Sequence, residues 1–339
     1  MVNEYKVSVV LPTRNNAETI ADAVRSALNQ SLTPVEVIVV NDGSTDETPQ
    51  RLREFGDDIV VVENDSNIGQ AASRNKAIDI STGDWIAFLD GDDIWRTDKL
   101  EKQTAFLRAN PSLKWCGTNY IIKRDDGSES LKTASRHDVV GEYFSLMESG
   151  VVSGSTITLI IKKELLERAG RFNESLRRNE DIELFWRMAL IEPQYGWLAE
   201  PLSEQRMSAG CEESMRLRVM GKDGRYLAPV LNKCLAISRG SASEKQFRRY
   251  AARVLRNAGL SMAFLSLRTP LARMLRRFDG LLGPFWRLFL WQCAVLPFSG
   301  LLIRMVCWSF ARIGASVDGR NFEYWNYIKK NGFPGSDEE

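Results

Sequence analysis

The stretch WIAFLDGDD, residues 85–93, runs from an apolar segment straight into three carboxylates. Trp85–Leu89 has the continuous apolar character of a strand buried on both faces. Asp90, Asp92 and Asp93 then crowd like charges into four positions, which is unfavourable unless something positive shares the space. Two readings are open. Gly91 suits a bend and Asp93 a helix cap, so the segment can be an acidic turn. Alternatively, Asp-x-Asp at a strand end supplies hard oxygen ligands to Mg²⁺ or Mn²⁺, cations that usually share their coordination with substrate phosphates.

Working outward, the first hundred residues alternate between two periodicities. Val7–Leu11, Val35–Val40, Ile59–Val62 and Trp85–Leu89 read as strands. Helices are predicted over Ile20–Leu28, Asp46–Phe55 and Gln70–Ile80. This alternation implies an α/β fold with a mostly parallel central sheet and helices on both faces. Ligands of such sheets bind at the carboxyl ends of the strands. A polar loop follows every strand here: Pro12–Asn15, Asn41–Asp46, Asn67–Arg74 and Asp90–Asp93. Asp42 can hydrogen-bond a base or sugar hydroxyl, or simply begin an Asp-Gly turn. Arg74 can reach a phosphate, or be a solvated surface arginine. No G-x-G-x-x-G or P-loop pattern is present. Further on, Leu113–Ile122 and Ser155–Ile161 read as strands and Glu180–Leu190 as a helix, while 200–240 has no clear period.

Hydrophobic residues make up 44% and charged residues 26% of the 339-residue chain, so it is expected to form globular units with real cores. Lys6–Pro12 reads as a strand rather than the apolar part of a leader. Cys116, Cys211, Cys234, Cys293 and Cys307 form no C-x-x-C pair, which argues for a reducing compartment and against a zinc site. His137 is the only histidine and sits in a polar stretch. This argues against a His-based metal site or a Ser-His-Asp triad and for a surface position of His137.

A second acidic focus is Asn179-Glu-Asp-Ile-Glu-Leu-Phe-Trp-Arg187. Glu180, Asp181 and Glu183 suit the first turn of a helix, where the dipole favours negative charge. One of them can equally serve as a general base.

Five segments, in this order, carry a resemblance: VSVVLPTRNNAETI, VEVIVVNDGSTDET, NIGQAASRNKAI, GDWIAFLDGDD and STITLIIKKELLERAGRFNESLRRNEDIELFWRMA. From about Lys6 to Ala189 the chain resembles the family 2 glycosyltransferases, inverting enzymes of the GT-A fold. The resemblance implies that Pro12, Thr13, Arg14 and Asn15 line a nucleotide pocket, that Asp42 contacts the base, and that Arg74, Asp90 and Gly91 lie by the nucleotide. Asp90 and Asp92 match the metal-binding Asp-x-Asp, with Asp92 ahead of Asp90 as direct ligand to Mn²⁺ or Mg²⁺. Asp181 matches the catalytic base, and Glu180 shapes the acceptor pocket. Arg187 and Arg206 match basic positions near acceptor or diphosphate. Where many relatives carry a histidine, this chain has Arg206-Met-Ser-Ala-Gly-Cys. The implied reaction moves a sugar from a nucleotide-sugar, UDP-linked in many relatives, to a glycan or lipid-linked acceptor. The rivals are a nucleotidyltransferase and a non-catalytic sugar-nucleotide or glycan-binding subunit.

The charge is segregated. Residues 245–312 carry 12 Lys/Arg against the single acid Asp279, while the whole chain nets only +1. Phe247, Tyr250, Ala251, Val254, Leu255, Ala258 and Met262 keep helical spacing among arginines. The longest charge-free run, Leu288–Ile303, is 16 residues and is broken by Pro297 and Gly300; a spanning helix needs about 20. The expected organisation is a catalytic domain over 1–240, a basic amphipathic helical region over 241–330 that lies on an anionic membrane surface, and a disordered tail over 331–339. The alternatives for the basic region are packing on the catalytic domain or a homodimer. No nucleic-acid-binding motif accompanies the charge, and the expected location is the cytoplasmic face of the cell membrane.

Overall fold

The computed structural model describes residues 5–132, 135–152, 155–207, 227–264, 268–278 and 280–295. It divides into two compact units, one of residues 1–209 and 234–247, the other of residues 210–233 and 248–339.

The first unit is built on one sheet. Strands β1 (Val7–Thr13), β2 (Glu36–Asp42), β3 (Val60–Asn64) and β4 (Trp85–Phe88) alternate with helices α1 (Ile20–Leu28), α2 (Thr48–Arg53) and α3 (Gln70–Ile80). All pairs among these strands are parallel, in the order β3-β2-β1-β4. Every residue of β1 is buried, as a strand covered on both faces requires. Helix α1 turns Ile20, Ala23, Val24 and Ala27 onto the sheet. Val60 and Val61, on the edge strand β3, stay exposed.

Beyond β4 the sheet departs from the mostly parallel arrangement expected. Strands β5 (Ile94–Trp95), β6 (Trp115–Arg124), β7 (Glu129–Lys132), β8 (Val139–Glu142), β9 (Ile160–Lys162) and β10 (Gln194–Met207) extend it to ten strands. β9 runs antiparallel to both β4 and β6. β5 and β8 run antiparallel to β10, and only β6 with β10 is parallel. The sheet is therefore mixed. Its parallel half comes from βαβ crossovers; in its second half only β6 and β7 are joined by a short turn, and the other antiparallel pairs bring together strands far apart in sequence.

Two features of this half position the site. β10 is 14 residues long, with register shifts around Pro201, and carries the chain back to the strand end where Asp90–Asp93 lie. Helix α7 (Glu180–Ile191) follows a segment clamped to α3: the Asn75 amide donates to the Phe172 carbonyl at 2.9 Å and accepts from its N–H at 3.0 Å. Helices α4 (Lys99–Ala109), α5 (Tyr143–Ser149) and α6 (Lys163–Arg168) complete the layers. Lys99 is wholly buried. Its ammonium donates to Gln103 Oε1 at 2.6 Å and lies 4.1 Å from the Trp95 ring centre. Burial pushes its pKa down to about 7. Phe247 closes the unit by packing on Phe144 and Trp186.

The described part of the second unit is helical, with the helices Arg268–Arg277 and Pro284–Val295 and most of Glu244–Phe264. Gly259 sits where a Cβ would meet the Leu290 side chain at 2.8 Å. No helix among the described residues is long and apolar enough to cross a membrane. The apolar run Leu288–Ile303 is helical up to Val295. Its remainder and the tail expected to be disordered lie outside the described residues.

Candidate active site

The strand ends are pinned together by side chains. At the end of β1, Pro12 and Thr13 are buried while Arg14 and Asn15 are exposed. Asn15 has φ 54°, in the left-handed region that asparagine tolerates better than most residues. It holds that turn by accepting from the Thr45 N–H at 2.8 Å and donating its own N–H to Ser44 Oγ at 3.0 Å. Asn16 Oδ1 accepts from Thr13 Oγ1 at 3.0 Å and from the Arg14 N–H at 3.1 Å. The loops after β1 and β2 thus form one rim.

Asp42, at the end of β2, is buried and fixes the loop before α3. Its carboxylate accepts from the Asn64 amide at 3.0 Å and from the N–H groups of Ile68 and Gly69 at 2.8 and 2.9 Å. Gly69 has φ 94°, which only glycine adopts freely, and it starts α3. The Asp42 carboxylate therefore sets where Gln70–Arg74 begin.

Arg74 is the centre of the site. It is only 2% exposed, against the alternative of a solvated surface arginine. Its guanidinium donates to Asp90 at 2.7 Å, to Gln70 at 3.3 Å and to Glu180 at 3.4 Å, and lies 5.4 Å from the Phe172 ring centre. Burial disfavours its charge, but the Asp90 and Glu180 carboxylates outweigh that and raise its pKa. One buried cation thus joins two carboxylates that lie 90 positions apart in sequence.

On one side of Arg74 is the Asp90–Asp93 loop. Gly91 is required by contact: a Cβ there would meet Thr13 Oγ1 at 2.5 Å. The Gly91 carbonyl accepts from Thr19 Oγ1 at 2.9 Å. Asp93 does not cap a helix. It is buried, and accepts from the Arg206 N–H at 2.8 Å, fastening the end of β10 beside the loop. Arg206 in turn donates to Asp22 on α1 at 3.0 Å. The loop is crowded with negative charge and desolvated in part, with Asp93 buried while Asp92 still reaches solvent. Burial and then the Asp90 charge push the Asp92 carboxyl up to about 6, and burial with Asp92 and Asp90 raises Asp93 well above the usual carboxylate range.

On the other side is the start of α7, whose first residue follows Asn179 in a left-handed turn, φ 62°. Burial raises Glu180, with Asp181 adding to it, and burial also raises Asp181. The Asp181 carboxylate accepts from the Ile182 N–H at 2.7 Å. The third acid of this turn, Glu183, points inward and pairs with Arg187 at 2.5 Å. Arg187 is accordingly not brought to the rim. It is buried, and donates to the carbonyls of Ala169 and, at 2.6 Å, Arg171. It is a scaffold clasp between α7 and the turn after α6, a correction to its expected place near acceptor or diphosphate.

The arrangement thus brings Asp90, Arg74 and Glu180 into direct contact, with Asp92, Asp181 and Arg206 adjoining. Asn16, Asp22 and Ser44 were not singled out as site residues from the sequence; Asn16 ties its own turn through Thr13 and Arg14, while Asp22 and Ser44 bond across distant loops, to Arg206 and to Asn15, which no local pattern announces. Among the described residues no group of three His, Cys, Asp or Glu side chains is placed to hold a metal ion alone. Asp90 and Asp92 fit a hard divalent cation that takes its other ligands from a diphosphate and water. Raised carboxyls at one strand end are the electrostatic state that such a cation relieves.

The family model for glycosyl transferase family 2 matches residues 8–167. Over 125 residues the chain is 41% identical to the putative teichuronic acid biosynthesis glycosyltransferase TuaG of Bacillus subtilis, covering 36% of this chain and 49% of that one. Over 122 residues it is 37% identical to an Escherichia coli protein named UDP-Glc:alpha-D-GlcNAc-diphosphoundecaprenol beta-1,3-glucosyltransferase WfgD, covering 36% and 48%. The aligned part thus spans about half the length of these two relatives. Among solved structures, S. aureus TarS 1–349 in complex with UDP-GlcNAc superposes with a TM-score of 0.68 at 19% identity, covering 91% of this chain and 92% of that one. The fold is GT-A-like, with a mixed central sheet and flanking helices.

Proposed function

We propose that this chain, which carries a glycosyl transferase family 2 domain over residues 8–167, transfers a sugar from a nucleotide-sugar to a hydroxyl group of a glycan or lipid-linked acceptor, with inversion, in the assembly of a cell-surface polysaccharide. The observation that carries this reading is the double contact of Arg74, 2.7 Å from Asp90 and 3.4 Å from Glu180. That contact joins the Asp90–Asp93 loop to the start of α7, which supports a donor diphosphate on one side and an acceptor on the other.

In this reading Pro12, Thr13, Arg14 and Asn15 border the nucleotide. Asp42 supports it through the loop before α3, as its hydrogen bonds indicate. Asp90 and Asp92 would hold Mn²⁺ or Mg²⁺, which supplies charge neutralisation to a departing diphosphate. Arg206, tied to the same loop through Asp93, adds positive charge from β10. Asp181 accepts the proton of the acceptor hydroxyl. The hydroxyl oxygen forms its bond to the anomeric carbon as the bond from that carbon to the diphosphate oxygen breaks, and the nucleoside diphosphate leaves with the electron pair. A raised carboxyl such as Asp181 suits a general base better than an ordinary one, because catalytic pKa values are most effective near the working pH. Glu180, tethered to Arg74, shapes the acceptor side. No covalent enzyme intermediate is needed, which fits a site without histidine or an activated nucleophile.

The relatives named for teichuronic acid biosynthesis and for a diphosphoundecaprenol acceptor support a surface-polysaccharide setting. The excess of 12 Lys/Arg over one acid in residues 245–312 supports attachment to the cytoplasmic face of an anionic membrane, where a lipid-linked acceptor is presented. A panel of nucleotide-sugars, with Mn²⁺, Mg²⁺ or EDTA, tests the assignment. Release of nucleoside diphosphate that depends on acceptor and metal is expected. Pyrophosphate released from a nucleoside triphosphate and a sugar phosphate would instead identify a nucleotidyltransferase.

A further inference from the structure

The loop Asp90–Asp93 places Gly91 between the two carboxylates suited to a cation. Space demands a glycine there: a Cβ would meet Thr13 Oγ1 at 2.5 Å and Asn16 Oδ1 at 3.0 Å. Glycine is also the residue whose backbone is most free to rotate. Rotation at Gly91 would swing Asp92 relative to Asp90, so the residue that makes room for the loop also leaves its two acids loosely aimed. The ends of the loop are held by side chains. Arg74 donates to the Asp90 carboxylate at 2.7 Å, and the Asp93 carboxylate accepts from the Arg206 N–H at 2.8 Å. Asp92 is exposed, and among the described residues no other side chain bonds its carboxylate, so its direction is set by the backbone. That backbone is held from outside the loop by Thr19. Thr19 Oγ1, 72 positions away, donates to the Gly91 carbonyl at 2.9 Å, closer than its 3.4 Å contact with the Asn16 carbonyl. Thr19 stands at the N-cap of α1, where a threonine hydroxyl ordinarily accepts from the first N–H groups of its own helix. It makes no such capping bond, and its hydroxyl is directed to the acid loop instead.

We propose that Thr19 is a positioning residue of the cation and diphosphate site: by holding the Gly91 carbonyl it fixes the peptide that joins Asp90 to Asp92, so the two carboxylates keep one mutual arrangement before a divalent cation arrives. The proposal rests on the reading of Asp90 and Asp92 as cation ligands given above and adds to it a residue outside the loop. A threonine that only satisfied a carbonyl would, when lost, lower stability and leave cation affinity alone. A positioning threonine links the two. The order it gives the loop is order the cation need not impose, so its loss weakens cation binding.

The test uses the full chain. Mn²⁺ is titrated in the presence of UDP, GDP or CDP, and the bound fraction is read from the electron paramagnetic resonance signal of free Mn²⁺, so no turnover is needed. Thr19→Val keeps the shape and removes the donor; it is expected to weaken Mn²⁺ binding about fivefold, the value of one hydrogen bond. Thr19→Ala, which sets no methyl group against the Gly91 carbonyl, should do the same. Thr19→Ser, which keeps the hydroxyl, should stay within about twofold of wild type. Thr104→Val is the control: its hydroxyl donates to the Leu100 carbonyl at 2.8 Å within α4. It removes a comparable bond outside the loop and should change Mn²⁺ affinity by less than about twofold. Hydrogen exchange over residues 88–95, measured without Mn²⁺, should quicken in Thr19→Val and Thr19→Ala and not in Thr104→Val. Thr19→Ser as weak as Thr19→Val, a change below about twofold in both Thr19→Val and Thr19→Ala, or an equal loss in Thr104→Val would overturn the positioning role and leave the cation reading intact. A wild-type chain that binds no Mn²⁺ with any of the three nucleotides would overturn the cation reading itself, and the proposal with it.

Discussion

Replacing Arg74 by methionine tests the electrostatic linkage at the centre of the site. Methionine keeps much of the volume and removes the charge. In the folded protein Arg74 is 2% exposed and its partners Asp90 and Glu180 have side chains 25% and 13% exposed. Leaving a buried ion-pair partner uncompensated costs about 3–5 kcal/mol. Because Asp90 keeps some contact with water, the lower end applies, about 3 kcal/mol at pH 7.5. The pH dependence has a definite sign. Burial and Asp181 already raise Glu180, and Arg74 opposes that rise. Without Arg74 the Glu180 carboxyl moves further up, so the folded variant binds more protons than the unfolded chain around neutral pH. Stability of such a state falls as pH rises. The loss relative to wild type is therefore expected to be largest at pH 7.5 and to shrink by more than about 1 kcal/mol at pH 5, one pKa unit being about 1.4 kcal/mol. Urea denaturation of both proteins at the two pH values measures this. A loss below about 1 kcal/mol, or one that is the same at both pH values, would refute the claim that Arg74 neutralises the two loops.

Four further outcomes are expected. Asp92→Ala should leave stability within about 0.5 kcal/mol, or raise it, because the site loses a repelled, solvent-reaching charge; the same variant should lose the metal-dependent part of donor affinity in calorimetry. Asp181→Asn should keep donor affinity and lower transfer by about 10²-fold or more, in the range for loss of a general base; near-normal turnover at saturating acceptor would point to Glu180 instead. Gly91→Ala, whose Cβ would fall 2.5 Å from Thr13 Oγ1, should cost about 1–3 kcal/mol and weaken donor binding. Lys99→Met should stabilise the protein by about 1 kcal/mol or more at pH 6, with the gain shrinking toward pH 10. The Lys99 pKa is lowered to about 7, so the unfolded chain binds more protons than the folded one from there up to the ordinary lysine value, and wild-type stability rises over that window. Denaturation curves at pH 6 and 9 decide it.

The parallel half of the sheet was legible because each strand is a continuous apolar run followed by a helical period. Helix α3 was expected over Gln70–Ile80 and is found there. The antiparallel half was not. Ser155–Ile161 reads as one strand, but Thr156–Thr158 form a 3₁₀ turn and only Ile160–Lys162 join the sheet. The Ile157 carbonyl accepts instead from the Trp95 indole at 2.9 Å and from Ser203 Oγ at 3.1 Å, tertiary bonds that no local pattern encodes. β10 escaped because Pro201 interrupts its alternation and is accommodated by a register shift. At the site, the acids were legible by type and position after strands, but their mutual contact was not: Arg74, Asp90 and Glu180 meet only because β9 pairs antiparallel with β4 and the chain then returns along α3. Arg187 is set apart by distance along the helix. Seven residues, about two turns, beyond Glu180, it shares that residue's face of α7 but lies roughly 10 Å further along. There Glu183 and the carbonyls of Ala169 and Arg171 hold it.

The charge balance of the rim bears on how a donor can enter. Asp90, Asp92, Asp93, Glu180 and Asp181 face two guanidiniums, Arg74 and Arg206, and burial leads the raised pKa of four of these acids. Neither guanidinium is idle: Arg74 is shared by Asp90 and Glu180, and Arg206 bonds Asp22. A diphosphate brings further negative charge to a site whose own acids already resist ionisation. It can settle there only if protons, a divalent cation or a shift of Arg74 and Arg206 toward it supplies the balance. Proton uptake would neutralise Asp181 along with the rest and, in the proposed reaction, remove its base. A shift of Arg74 would release Glu180 and Asp90 to repel one another. A cation on Asp90 and Asp92 avoids both conflicts, because it neutralises the loop without touching the α7 acids and leaves Arg74 in place. In the proposed reaction, the same electrostatics that raise the rim carboxyls would therefore favour entry of metal and donor together, ahead of the acceptor whose proton Asp181 would take.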